Sequence, residues 1–155
     1  MPHSLQTIKV KIAVAGLGRM GKRHVRTLLH RVPNADIVAV CSTDPEELAW
    51  ARKEYENWGI EVYDSYDDMI QHTGLQAVWV STSTNVHASQ TLAAISKDLH
   101  VLCEKPLSID VDEVCATKFS NLPKPSQLVP LPALAFADVL SLSRISRNYI
   151  RTNIK

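Results

Sequence analysis

KIAVAGLGRMGKRHV, residues Lys11–Val25, joins an apolar run to a basic one through three glycines, Gly16, Gly18 and Gly21. The spacing G-x-G-x-x-G is weak by itself, because glycines fall at that spacing by chance. Its setting gives it weight: Val10, Ile12, Ala13, Val14 and Ala15 read as a buried parallel strand, and the residues after Gly18 read as a helix. In that strand–turn–helix context Gly16 permits the tight turn, Gly18 lets backbone N–H groups approach a pyrophosphate, and Gly21 lets the helix lie close on the strand. Unpaired N–H groups and partial positive charge at the helix start suit phosphate without a dedicated basic side chain.

The length of 155 residues allows one domain, or one domain with a tail. A hydrophobic fraction of 45% and a charged fraction of 21% are those of an ordinary globular protein, and a net charge of +1 gives no electrostatic case for nucleic acid. Cys41, Cys103 and Cys115 have no C-x-x-C spacing, so free buried thiols are expected, with neither a zinc site nor a disulfide framework. The N-terminal stretch lacks an apolar core of signal-peptide length, and no apolar run has membrane-spanning length, so a cytoplasmic protein without membrane contact is expected.

Outward from the glycines, the pattern predicts a helix over Met20–His30, with Met20, Val25, Leu28 and Leu29 inward. His24 reads equally well as a packing residue and as a neighbour of the phosphates. Ala35–Cys41 is a second buried strand, followed by Ser42 and Thr43 and then by Asp44-Pro45-Glu46-Glu47, a complete helix start in which Asp44 caps and Glu47 closes a capping box. A dinucleotide fold places a ribose-binding carboxylate at this strand end; Asp44 is better explained as the cap, which leaves NAD versus NADP open. Ile60–Tyr63 reads as an edge strand, Ser65 as the cap of a short helix, and Leu75–Ser81 as a fourth strand running into a polar loop, Thr82–His87. A helix over Ala88–Ser96 and a fifth strand, Leu99–Cys103, lead to Glu104-Lys105-Pro106. The fold class is therefore α/β, a doubly wound parallel sheet of about five strands whose loop ends share one edge.

The glycine loop GLGRMGKRHV, the pattern S-T-x-x-N-x-H over Ser81–His87, and HVLCEKPLSID over His100–Asp110 together resemble the Gfo/Idh/MocA family of NAD(P)-dependent oxidoreductases, from about Ile8 to Asp112. The resemblance implies a Rossmann domain that, in the family, precedes a larger α/β domain carrying the substrate. It implies hydride transfer between nicotinamide and a carbon bearing a hydroxyl, commonly on a sugar or cyclitol. Carried over, Gly16, Gly18, Arg19, Met20 and Gly21 line the pyrophosphate, and Ser42 and Thr43 face the adenosine ribose. Thr82, Asn85 and His87 border the nicotinamide half. Glu104 and Lys105 reach the nicotinamide ribose and the substrate hydroxyl, with Lys105 as the catalytic group of an incomplete site. No metal is implied. Two departures stand out: Ser83 replaces a usual proline, and Asp98 replaces a usual glycine and so must take a positive φ.

The resemblance ends near Cys115, which predicts a Rossmann domain over 1–118 and an irregular, Pro-rich tail over 119–155. Four of the eight prolines, Pro123, Pro125, Pro130 and Pro132, fall within ten residues there, no His follows Phe119, and Asp138 is the one acid against five Lys/Arg. Leu134–Lys155 has helical spacing of Arg144, Arg147 and Arg151, yet reads best as non-family sequence from a truncated or misread gene. The expected partners are NAD or NADP, a polyol or sugar in a longer parent, and further copies of the chain through a poorly covered fifth strand. The expected alternatives are a nucleotide-sensing regulatory module and half of a dehydrogenase completed by a partner chain.

Overall fold

The structure, a computed structural model, describes residues 9–109. Five strands, β1 (Val10–Ala15), β2 (Ala35–Cys41), β3 (Glu61–Tyr63), β4 (Ala77–Val80) and β5 (His100–Cys103), form one parallel sheet in the order β3-β2-β1-β4-β5. Between them run α1 (Arg19–Arg31), α2 (Pro45–Tyr55), the short α3 (Tyr66–Met69) and α4 (Thr84–Ser96). The expected α/β, doubly wound sheet of five strands is what forms. Expectations for Cys115, the Pro-rich segment and Leu134–Lys155 lie outside the described residues.

The order follows from composition. β1 is covered on both faces, so its apolar run is nearly unbroken: Ala13, Val14 and Ala15 are fully buried, and only Lys11 near its start is exposed. Strands are added from β1 through β2 to β3, and the chain then returns to place β4 on the other side of β1. Right-handed crossovers consequently put helices on both faces. Alternation divides the side chains: Ala13, Ala15, Val78 and Val80 pack in one cluster with Met69, Ile70 and Ala94. Ile12, Val14 and Trp79 point the other way, where α1 buries Gly21, Val25 and Leu28.

Three expectations need correction. Met20 is 37% exposed and Gly21 takes the inward place beside Val25 and Leu28. The fourth strand is shorter than Leu75–Ser81, since Leu75 N–H turns back to the His72 carbonyl, although Gln76 N–H still pairs with Lys11 O. The segment Thr82–His87 is not a loop: α4 begins at Thr84, with Ser83 in extended geometry before it. Thr, Ser and Asn are weak helix formers, but in a first turn their N–H groups need no helical acceptor, and burial of His87, Ala88, Thr91 and Ala94 sets the helix start instead.

The end of α4 is a Schellman turn. Leu99 N–H bonds Ala94 O at 3.1 Å, Asp98 N–H bonds Ile95 O at 3.0 Å, and Asp98 sits at φ 58°. The sequence expectation of a positive φ on a non-glycine residue is met. Because Asp98 is exposed, Asp98→Gly changes little but backbone strain, and it raises stability by about 1 kcal/mol, read as a higher urea midpoint.

Cys41 and Cys103 are free thiols at the ends of β2 and β5. Burial, with Asp64 nearby, pushes the Cys41 thiol up to about 12, and burial pushes Cys103 up to about 11. Cys41 therefore stays unlabelled by a thiol reagent at about pH 8 in the native protein and reacts on unfolding, as mass spectrometry will show. Folded thiols that ionise later than unfolded ones also mean that stability is complete below about pH 9 and declines as pH climbs towards 12.

Candidate functional site

The strands end along one edge, and the chain diverges between β1 and β4, where an open α/β sheet forms its crevice. Each glycine after β1 has a different reason to be glycine. Gly16 has φ 85°, and a Cβ there would stand 2.6 Å from the Ser81 carbonyl oxygen. A Cβ on Gly21 would stand 1.7 Å from the Gly16 carbonyl oxygen, so α1 rests directly on the loop backbone. Gly18 differs: its φ is −61°, and a Cβ would meet only Glu47 Oε1 at 3.7 Å, an ordinary contact. Among the described residues, neither packing nor backbone geometry demands glycine at 18. What remains is access to the backbone from outside. No side chain caps α1, and its first turn has no acid, which leaves the helix start suited to an anion.

Two residues to which the sequence analysis gave no role at the glycine turn hold this loop. Leu17 is fully buried between Gly16 and Gly18. Ser81 Oγ donates to Ala15 O at 2.9 Å and to Gly16 O at 3.1 Å, fastening the end of β4 to the turn. Arg19 and Met20 follow as exposed residues of the first turn of α1.

At the end of β2, Asp44 is the helix cap: its Oδ1 accepts from Glu46 N–H at 2.8 Å and Glu47 N–H at 3.0 Å. The capping box is modified. Glu47 does not reach the Asp44 N–H but accepts from Ser42 Oγ at 2.6 Å, and Ser42 Oγ accepts from Asp44 N–H at 3.1 Å. The Ser42 hydroxyl thus relays the box, because the buried Ser42, 6% exposed, lies between the two partners. Thr43 is exposed beside it.

Across the crevice, Thr82 Oγ1 donates to Gln90 Oε1 at 2.6 Å, and Asn85 is exposed on the first turn of α4. His87 is 2% exposed, with Nδ1 2.8 Å from Pro106 O and Nε2 2.9 Å from Thr82 O. It therefore links the ends of β4 and β5 rather than facing the crevice from a loop. Glu104 is engaged as well. Its Oε1 lies 2.7 Å from His24 Nε2, its Oε2 accepts from Lys105 N–H at 3.3 Å, and the His24 ring stacks on Trp79 at 4.3 Å. His24, which sequence left between two roles, holds Glu104 at the end of β5. Lys105 is exposed, and its ammonium makes no ion pair among the described residues.

A family model described as an oxidoreductase family with an NAD-binding Rossmann fold matches residues 10–118. The inositol 2-dehydrogenase of Ralstonia nicotianae is 35% identical over 105 residues, 66% of this chain and 30% of that enzyme. The inositol 2-dehydrogenase of Salmonella typhimurium is 30% identical over 102 residues, 64% of this chain and 30% of that enzyme. Among solved structures, apo scyllo-inositol dehydrogenase from Lactobacillus casei superposes with a TM-score of 0.65 at 35% identity, over 72% of this chain and 32% of that one. Myo-inositol dehydrogenase from Lactobacillus casei, in complex with NAD(H) and myo-inositol, gives a TM-score of 0.66 at 28% identity, over 70% of this chain and 32% of that one. The chain spans 30% of the length of these curated relatives. With strand order, glycine loop and family match in agreement, the chain belongs to the Gfo/Idh/MocA family of oxidoreductases, through its NAD-binding Rossmann fold.

Proposed function

We propose that this chain binds a nicotinamide dinucleotide as the cofactor half of a dehydrogenase acting on a polyol hydroxyl, with a cyclitol such as inositol as the substrate class. The observation that carries the reading is Gly18, a glycine with room for a side chain and no internal reason to lack one, at the uncapped start of a helix. Gly16, Gly18, Arg19, Met20 and Gly21 would hold the pyrophosphate, Ser42 and Thr43 would lie on the adenosine side, and Thr82, Asn85, His87 and Glu104 on the nicotinamide side. Of these, Ser42, Thr82, His87 and Glu104 act by shaping the crevice, since their polar atoms are engaged within the chain. The bound dinucleotide supplies the hydride acceptor. Lys105 offers a positive charge to the oxygen from which the proton leaves.

The match covers less than a third of the relatives' length, and residues 119–155 contain no His to take that proton. Cofactor binding is therefore the part of the reaction proposed for these 155 residues. Calorimetric titration with NAD+ and NADP+ tests the core of this reading; no heat with either at millimolar concentration would sink it.

Two alanine variants separate binding from folding. Gly18→Ala costs less than about 1 kcal/mol of stability, because the site accepts a Cβ, yet weakens dinucleotide binding about tenfold or more. Gly21→Ala drives a methyl into the Gly16 carbonyl and costs about 3 kcal/mol, seen as a lower urea midpoint.

A further inference from the structure

β2 ends in Cys41-Ser42-Thr43, without the acid that a dinucleotide fold uses to accept the adenosine ribose hydroxyls. Asp44 serves as the cap of α2, its Oδ1 accepting from Glu46 N–H and Glu47 N–H, and it does not come within 4 Å of a Cβ built on Gly18. A different carboxylate occupies the corner. Glu47, half-buried on the first turn of α2, places Oε2 2.6 Å from Ser42 Oγ at the end of β2. Its Oε1 lies 3.7 Å from where a Cβ on Gly18 would stand. One carboxylate thus spans the strand end and the phosphate-facing glycine, the two features between which a Rossmann sheet seats the adenosine ribose.

We propose that Glu47 is the ribose-reading carboxylate of this chain and makes it select NAD(H) over NADP(H). The inference rests on the reading of the crevice as a dinucleotide site. Oε2 is held by Ser42, which leaves Oε1, on the Gly18 side, to accept from a ribose hydroxyl. Ser42 fixes the side chain, so little rotamer freedom is lost on binding. A 2′-phosphate carries nearly two negative charges and would face this carboxylate directly. The first turn of α1 carries Arg19 and Lys22; Lys22 Nζ lies over the Trp50 ring at 4.3 Å, and Arg19 is exposed. The repulsion decides against the phosphate.

Calorimetry on the full chain tests this with NAD+, NADP+, ADP and 2′,5′-ADP. The unaltered protein should bind NAD+ about tenfold or more tighter than NADP+, and ADP tighter than 2′,5′-ADP by a similar factor. Glu47→Gln keeps an acceptor for Ser42 and removes the charge; it should bring the two dinucleotides to within about threefold, mainly by strengthening NADP+. Equal binding of both dinucleotides by the unaltered protein, a preference for NADP+, or an unchanged ratio in Glu47→Gln overturns the role of Glu47 while leaving the dinucleotide site intact. Failure of a folded protein to bind any of the four overturns the dinucleotide reading and this inference together. Should Glu47→Gln not fold, the ADP and 2′,5′-ADP pair on the unaltered chain decides alone.

Discussion

The structure depends on a contact between backbones. Gly21 of α1 meets the carbonyl of Gly16 with no room for a methyl, and Gly16 meets the carbonyl of Ser81 under the same restriction. Helix, turn and the end of a neighbouring strand are therefore drawn to main-chain distance at the point where the sheet changes direction. Ser81 Oγ closes the arrangement by donating to the carbonyls of Ala15 and Gly16. Because the loop is fixed from below and behind, the remaining glycine faces outward, and the start of α1 is presented in one orientation.

Much of the fold was legible because its constraints are local or periodic. The apolar run of β1, the proline-led start of α2, the Ser65 cap and the turn at Gly59 each state an element and a boundary in a few residues. Asp98 was legible as an exception, and it adopts the positive φ that its place requires. The start of α4 was not legible, because Thr84, Asn85 and Val86 have loop-like composition and the helix is fixed by what His87 and Ala88 bury. Met20 was misplaced for a related reason: helical periodicity chooses an apolar stripe but cannot show that a glycine fits a surface too close for methionine.

The geometry of the crevice was legible at its glycines and at its strand ends, and obscure wherever a side chain crosses between elements. Nothing in the spacing of His24 and Glu104 pairs them; β4 and α1 must first be assembled so that Trp79 supports the imidazole. Glu47 reads in sequence as one half of a capping box. Only the fold shows that Ser42 intercepts it and that its other oxygen borders Gly18. Residues of this kind serve two elements at once, and sequence displays only the one to which they are covalently attached.

Glu104-Lys105-Pro106 is held from both faces of the sheet. His24 on α1 takes the carboxylate before the lysine, and His87 on α4 meets the carbonyl of the proline after it. The lysine backbone is thereby triangulated: fixing the segment on each side leaves the ammonium to move only through its own side-chain torsions. α1 carries Gly18 at one end and His24 six residues later, about 9 Å along the same rod. The uncapped start of α1 and the histidine that holds Glu104 are thus mounted on one rigid part, and their separation is set by the pitch of a helix rather than by the path of a loop.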